Sequence, residues 1–154
     1  PAVGAGCDLA TMCDIRIASE AALFAESFVK LGLTPGDGGA WFLPRAVGVS
    51  NANYMSFTGE SIKADKALQM GLVSEVLASE KLIDRAMEIA QLIAKNPPHA
   101  VRLAKQLIKG SEKSTLDETL DKSASFQAVC HAEPDHQEAI AAFFEKRDGN
   151  YRTR

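Results

Sequence analysis

The sequence is poor in the residues that mark several common classes of protein. Among 154 residues there are only three histidines and three cysteines, Cys7, Cys13 and Cys130. An odd number of cysteines without a paired motif favours free thiols in a reducing compartment, so we expect a cytoplasmic protein. Because the cysteines stand in histidine-poor sequence, we expect neither a zinc site nor another bound metal.

Long apolar runs and clusters of basic residues are also missing. No apolar stretch approaches the roughly 18 residues that a membrane span requires, and the first residues lack the basic and apolar regions of a signal peptide. The chain has 17 Lys and Arg against 20 Asp and Glu, and no basic stripe stands out. We therefore expect neither a membrane nor a nucleic acid as a partner.

The pattern of the sequence changes along the chain. Residues 1–78 hold short apolar stretches broken by glycine, which is typical of short strands, loops and short helices. Residues 79–154 are almost entirely amphipathic helix, beginning with Ser79 as a predicted N-cap. Strands are expected over 2–3, 14–18, 23–25 and 72–77, and helices over 6–13, 39–47, 50–57, 64–70, 79–95, 98–109, 115–130 and 134–146. So few short strands cannot close a sheet, which indicates that the sequence begins within a domain.

A glycine-rich turn before the first helix has the features of an anion site. In Gly4-Ala5-Gly6 the small side chains let a ligand approach the backbone closely. The first amides of a helix have no internal acceptor, and the helix dipole adds partial positive charge there. Asp8 falls in the first turn of the same helix. One element would then supply both an oxyanion donor and a proton acceptor.

Two simpler interpretations of this turn remain open. Gly4 and Gly6 can serve only to shape a tight turn, and Asp8 can serve only to satisfy free amides of its own helix. Dinucleotide binding is a further alternative, because Gly4 and Gly6 form the first part of a G-x-G-x-x-G motif. Leu9 stands where that motif needs its third glycine, so the signal is weak.

Two further acids lie in the first half of the chain. Glu26 follows a predicted strand, and Asp37 lies in the loop sequence "GLTPGDGGAW". Either one is a candidate second active-site acid. The alternatives are a surface charge for Glu26 and a solvated turn residue for Asp37.

Four segments together resemble the crotonase superfamily, in particular its enoyl-CoA hydratase/isomerase branch. They are "PAVGAGCDLATMCDIRIAS", "LFAESFVKLGLTPGDGGAWFLPRAVG", "FTGESIKADKALQMGLVSEVL" and the closing "AAFFEKRDGNY". The resemblance spans essentially the whole chain, with the segments in the family's order and spacing.

The resemblance implies an α/β fold built as a spiral of ββα units and followed by a helical trimerisation region. Residues 1–78 would form the second part of the spiral with the catalytic helix. Residues 79–154 would form the C-terminal oligomerisation region of a homotrimer or a dimer of trimers. The N-terminal part of the spiral, with the first oxyanion-hole amide, would be absent from this sequence.

Residue by residue, the resemblance assigns roles to the glycine-rich turn. Ala5 matches the position whose backbone N–H is the second donor of the oxyanion hole, and Gly4 and Gly6 flank it in the substrate pocket. Asp8 matches the first catalytic acid, which in hydratases is usually glutamate. The family's second acid falls at Phe28, where this sequence has no carboxylate.

The resemblance leaves the second catalytic acid unassigned. Some members of the family place a catalytic aspartate at the position of Gly36, which is not acidic here either. Glu26 or Asp37 would have to take that role from a neighbouring position. Phe28 and Trp41 are expected to line the substrate pocket.

In the C-terminal part, Phe143 and Lys146 match positions that approach coenzyme A from a neighbouring subunit in members of the family. The apolar helix faces there, with Phe126, Val129 and Phe144, suit either a core or a subunit interface.

The function that the resemblance implies is the processing of acyl-CoA thioesters by a hydratase or an isomerase. The substrate would be a coenzyme A thioester, with no permanently bound cofactor. Asp8 would act as acid and base while the Ala5 amide stabilises a thioester enolate. The missing acid at Phe28 motivates the alternative of a non-catalytic crotonase-fold protein that binds acyl-CoA or serves in assembly.

Overall fold

The computed structural model describes residues 1–151. The chain forms two compact units, Pro1–Ala86 and a second unit from Met87 onward. Within the described residues, no helix is both long and apolar enough to cross a membrane.

The first unit contains two small sheets with three helices. Its strands are β1 (Ala2–Val3), β2 (Ile17–Ser19), β3 (Leu23–Ala25), β4 (Ile62–Lys63) and β5 (Glu75–Leu77). Its helices are α1 (Ala5–Met12), α2 (Gly39–Thr58) and α3 (Ala64–Gln69). β1 pairs in parallel with β3, β3 pairs antiparallel with β4, and β2 pairs in parallel with β5. A short 3-10 turn over Ser27–Leu31 follows β3.

Two of these strands are shorter than the sequence predicts. The predicted strand over 14–18 starts only at Ile17, because the Arg16 side chain donates to the carbonyls of Cys13 and Leu72, both at 2.6 Å, and closes a bend. The predicted strand over 72–77 starts only at Glu75. Its first amides, at Leu72 and Val73, bond back to the Ala67 carbonyl and so complete the end of α3.

The helix α2 consists of two segments that meet at a glycine. Gly48 has φ 76° and ψ 157°, a conformation outside the helical range. The break confirms the predicted division into helices over 39–47 and 50–57.

The core of the first unit lies between α1, α2, α3 and the sheets. Leu43, Met55 and Leu72 are the largest apolar side chains that are completely buried. The other members of this cluster are Cys7, Ala18, Phe24, Val47, Ala52, Ile62, Ala67, Met70 and Val73.

The second unit is helical. A short 3-10 turn at Ser79–Lys81 precedes α4 (Leu82–Ala94), in which the boundary between the units falls, so Ser79 is not the N-cap of α4 as predicted. α5 (Pro98–Ser111), α6 (Leu116–Ala132) and α7 (Pro134–Glu145) follow, with α5 packed on α6 and α6 on α7.

The ends of these helices are held by side chains. At the start of α6, Thr115 accepts from the Glu118 amide at 3.2 Å and the Glu118 carboxylate accepts from the Thr115 amide at 2.8 Å, forming a capping box. After α7, Arg147 pairs with Glu138 at 2.5 Å and with Glu145 at 2.6 Å. The predicted helices of this unit are thus confirmed within a few residues.

Candidate functional site

The glycine-rich turn between β1 and α1 presents two amides to solvent. Gly4 has φ 55° and ψ −123°, a conformation that side chains disfavour, and its N–H donates to the Ala25 carbonyl at 2.8 Å. Ala5 and Gly6, the first residues of α1, are exposed. Among residues 1–151, neither of their amides has a hydrogen-bond acceptor. The turn therefore offers two preorganised donors at a helix N-terminus.

The Asp8 carboxylate is completely buried and accepts no hydrogen bond from the amides of its own helix. Its Oδ2 accepts from the Asp37 amide at 3.2 Å, just before α2. Its Oδ1 has no hydrogen-bond partner among the described residues. Asp8 therefore does not cap α1, which excludes the simpler interpretation of this acid.

The close approach of Asp8 to α2 depends on Gly39. A Cβ at Gly39 would lie 1.9 Å from Asp8 Oδ1, far inside any real contact. Gly38, the N-cap of α2, has φ 102° and brings the chain into the helix. From the sequence, these glycines are expected only to break regular structure. The requirement for glycine at 39 comes from a residue 31 positions earlier, so no local pattern indicates it.

Glu26 lies inside the protein beside Asp8. β1 and β3 pair with Val3 opposite Ala25, so the next residues, Gly4 and Glu26, run side by side where α1 begins. The Glu26 side chain is 1% exposed, and neither carboxyl oxygen has a hydrogen-bond donor in the described residues. The interpretation of Glu26 as a surface charge is therefore wrong.

The surroundings of Glu26 favour its protonated form. Burial raises the pKa of Glu26 to about 7, the Cys7 thiol opposes this rise, and the nearby Asp8 carboxylate adds to it. Burial, followed by the Glu26 carboxyl, raises the pKa of the Cys7 thiol above its usual range. Cys7, which no sequence motif assigns to the site, is thus a neutral neighbour of Glu26.

The other residues expected at the site are more exposed. The Asp37 side chain is exposed, and only its backbone amide reaches Asp8. Phe28 is half-buried against the glycine-rich turn, since a Cβ at Gly4 would lie 3.7 Å from its ring. Trp41, in the first turn of α2, is 40% exposed, and the Arg45 guanidinium lies 3.3 Å above the centre of its ring. The structure thus brings Glu26 to Asp8, and not the Asp37 carboxylate.

Phe143 and Lys146 both lie in the second unit. Phe143 is exposed and contacts Phe144 edge to face, with 5.7 Å between the ring centres. Lys146 ends α7 with φ 54°. The Phe143 ring and the Lys146 charge are therefore available at the surface of that unit.

No metal-binding arrangement is found in the described part of the chain: no group of three or more His, Cys, Asp or Glu side chains could hold an ion. The polar groups at the site are backbone amides and carboxyl groups. Amides can stabilise an oxyanion, and carboxyl groups can accept or release a proton.

The sequence matches the profile of the family described as enoyl-CoA hydratase/isomerase over residues 1–154. The chain belongs to the enoyl-CoA hydratase/isomerase family. Over 146 residues it is 43% identical to a short-chain-enoyl-CoA hydratase of Clostridium acetobutylicum, an alignment that covers 95% of this chain and 56% of the relative. It is 37% identical over 150 residues to the 1,2-epoxyphenylacetyl-CoA isomerase of Escherichia coli, covering 97% of this chain and 57% of the relative.

Solved structures of the enoyl-CoA hydratase/isomerase family share the fold. The enoyl-CoA hydratase of Bacillus anthracis superposes with a TM-score of 0.94 at 38% identity, covering 97% of this chain and 58% of that one. The fold is thus of the crotonase type, an α/β arrangement followed by a helical region. The chain spans little more than half the length of these family members.

Proposed function

We propose that the protein processes acyl-CoA thioesters as an enoyl-CoA hydratase or isomerase. The observation that carries the proposal is the exposed pair of donor amides at Ala5 and Gly6, with the buried Asp8 carboxylate in the same turn of helix. The names of the relatives support both activities, because one is a hydratase and another an isomerase.

The chemistry follows from this pairing. The thioester oxygen accepts from the Ala5 N–H, which stabilises the negative charge that develops on that oxygen. Asp8 Oδ1, the oxygen without a donor, takes a proton from carbon alpha or gamma to the carbonyl. The electron pair of that C–H bond moves into the enolate, and the proton returns to another carbon. Isomerisation needs no more than this single carboxylate.

Hydration of the enoyl double bond requires more than this single proton transfer. A water molecule must be oriented and deprotonated while a proton is delivered to carbon, which two acids usually share. Phe28 supplies no carboxylate, and the Asp37 side chain is exposed. Of the candidate second acids, Glu26 is therefore the one that the geometry favours, as a buried group that acts through Asp8 and does not touch the substrate.

Replacement of the Asp8 carboxylate tests the role of this acid. We expect Asp8→Asn to lower kcat by about a hundredfold to ten-thousandfold, because the base is lost while the shape of the side chain is kept. Asp65→Asn, an exposed acid on α3, is the matched control. The assay is steady-state turnover of enoyl-CoA substrates of several chain lengths, with coenzyme A binding measured by calorimetry. Undiminished turnover by Asp8→Asn would exclude this role.

A non-catalytic protein that binds acyl-CoA or serves in assembly is the second candidate. Asp8 is 0% exposed and Glu26 1% exposed, so a substrate reaches them only if the covering segment around Asp37 and Gly39 shifts. Binding of acyl-CoA without turnover at any chain length would favour this candidate.

We propose a homotrimer or a dimer of trimers, with residues 1–78 as the spiral part and 79–154 as the oligomerisation region. Phe143 and Lys146 would contact coenzyme A bound to a neighbouring subunit. The exposure of Phe143 and Phe144 supports such a contact. The substrate would be a coenzyme A thioester with no permanently bound cofactor, and the three free cysteines suit a cytoplasmic location.

A further inference from the structure

Asp8 and Glu26 are two buried carboxyl groups on adjoining elements. Asp8 lies in the first turn of α1, and Glu26 directly follows β3, whose pairing with β1 is extended by the bond from the Gly4 amide to the Ala25 carbonyl. Both side chains are almost completely inaccessible, at 0% and 1%. The elements that carry the two carboxyl groups are therefore joined by a backbone hydrogen bond, and both groups are enclosed within the unit.

The two groups together lack hydrogen-bond donors. Of their four carboxyl oxygens, only Asp8 Oδ2 receives a donor, the Asp37 amide, and the other three have none among residues 1–151. Two unpaired negative charges in this position would be strongly unfavourable, since buried charge requires a partner. The groups that act on Glu26 are Cys7 and Asp8, and neither is a cation. A proton on one carboxyl removes one charge and creates the missing donor.

The surroundings decide which carboxyl holds the proton. Asp8 has the Asp37 amide and lies against Gly39 at the N-terminus of α2, where a negative charge is favoured. Glu26 has no comparable amide. A proton on Glu26 lets its carboxyl group donate to the neighbouring Asp8 carboxylate.

We infer that Asp8 and Glu26 form a carboxyl–carboxylate pair that holds one proton, in which Glu26 donates to Asp8 and so positions the base. The inference rests on the proposed function for its role in turnover. Asp8 takes the substrate proton at Oδ1, the pair then carries two protons, and the return of one proton to carbon restores the starting state. Glu26 acts through Asp8 and is a positioning residue.

A spectroscopic test needs no substrate. Infrared difference spectra of the protein should show a carboxylic-acid carbonyl band that disappears with a midpoint near pH 7. We expect Glu26→Gln to abolish this band and Glu20→Gln, at an exposed acid that precedes β3, to leave it unchanged. The absence of the band, or its survival in Glu26→Gln, would overturn the pair.

A kinetic test follows the same proton in turnover. Wild-type kcat should fall as the pH rises through 7, because ionised Glu26 no longer donates to Asp8. Glu26→Gln keeps a donor that does not titrate, so it should retain turnover and lose this fall. Glu26→Met removes the donor and should lower kcat about tenfold or more at every pH.

Three outcomes of the kinetic test are decisive. A fall at the same pH in Glu26→Gln would contradict the positioning role, and so would a fall that disappears only in Asp37→Asn. If the wild type turns over no acyl-CoA, the proposed function fails while the infrared band still decides the proton pair. Circular dichroism of each variant shows that it is folded.

Discussion

At the scale of single residues, the position of Asp8 depends on the absence of a side chain at Gly39. We expect Gly39→Ala to lower turnover at least about a hundredfold, because the new Cβ would meet Asp8 Oδ1 at 1.9 Å and must displace the base. The control is Gly36→Ala in the same loop, where the nearest atom to an added Cβ is 4.0 Å away. Equal turnover of the two variants would show that Asp8 does not need its present position.

Glu26 should also make the stability of the protein depend on pH. Its folded-state pKa is raised from 4.5 to about 7, so the folded state binds more protons than the unfolded state between these values. The contribution of Glu26 is therefore fully present below about pH 4.5 and is lost as the pH rises through about 7.

The variant Glu26→Gln removes this dependence. From about pH 5 to about pH 8, the free energy of unfolding of the wild type should fall by about 2 kcal/mol relative to that of Glu26→Gln. Urea unfolding at a series of pH values measures the difference. Parallel pH profiles for the two proteins would mean that Glu26 has an ordinary pKa.

The residues of the site were predictable to different degrees. The motif around Gly4, Ala5 and Asp8 is local, so both the helix start and the acid in its first turn follow from the sequence. The burial of Glu26 does not, because it depends on the parallel pairing of β1 with β3, two strands separated by a helix and another strand. The contact of Asp8 with Gly39 arises likewise from the packing of α1 on α2.

At the scale of elements, α2 shows how one glycine divides a helix. Gly48 has φ 76° with open space around it, so an added Cβ would be strained by the backbone and not by a neighbour. Gly48→Ala should therefore destabilise the protein by about 1–2 kcal/mol. Gly110→Ala, at a helical position in α5, should stabilise it by up to about 1 kcal/mol.

Chemical unfolding of both glycine variants measures this difference. Replacement of glycine by alanine is thus expected to lower the stability of the protein at position 48 and to raise it at position 110. If Gly48→Ala is as stable as the wild type, the break in α2 is not fixed by glycine.

The elements themselves were mostly predictable, and the exceptions have identifiable causes. Long helices such as α5 and α6 carry a periodic apolar face and clear end signals, so the sequence locates them well. The strand β4 has only two residues, Ile62 and Lys63, and exists because it pairs with β3. Such a strand has no periodicity of its own from which it could be predicted.

At the scale of the whole molecule, the second unit leaves large apolar side chains at its surface. Leu116 and Leu120, one turn apart on α6, are 72% and 56% exposed. If residues 79–154 form the oligomer interface, the double variant Leu116→Ser/Leu120→Ser should shift the protein from trimers toward monomers.

Sedimentation velocity measures this assembly. Gln106→Ser, an exposed polar change on α5, is the control and should sediment like the wild type. A wild-type protein that sediments as a monomer at all concentrations would exclude the proposed trimer.

The first turn of α2 also gives the molecule an optical property. Trp41 is the single tryptophan of the chain, and its indole lies under the Arg45 guanidinium four residues along the helix. Arg45 also donates to the Trp41 carbonyl at 2.9 Å, which holds the two side chains in register. The intrinsic fluorescence of the protein therefore comes mainly from one fluorophore two residues beyond the glycine that contacts Asp8. Its emission reports directly on any shift of that turn, with no label attached.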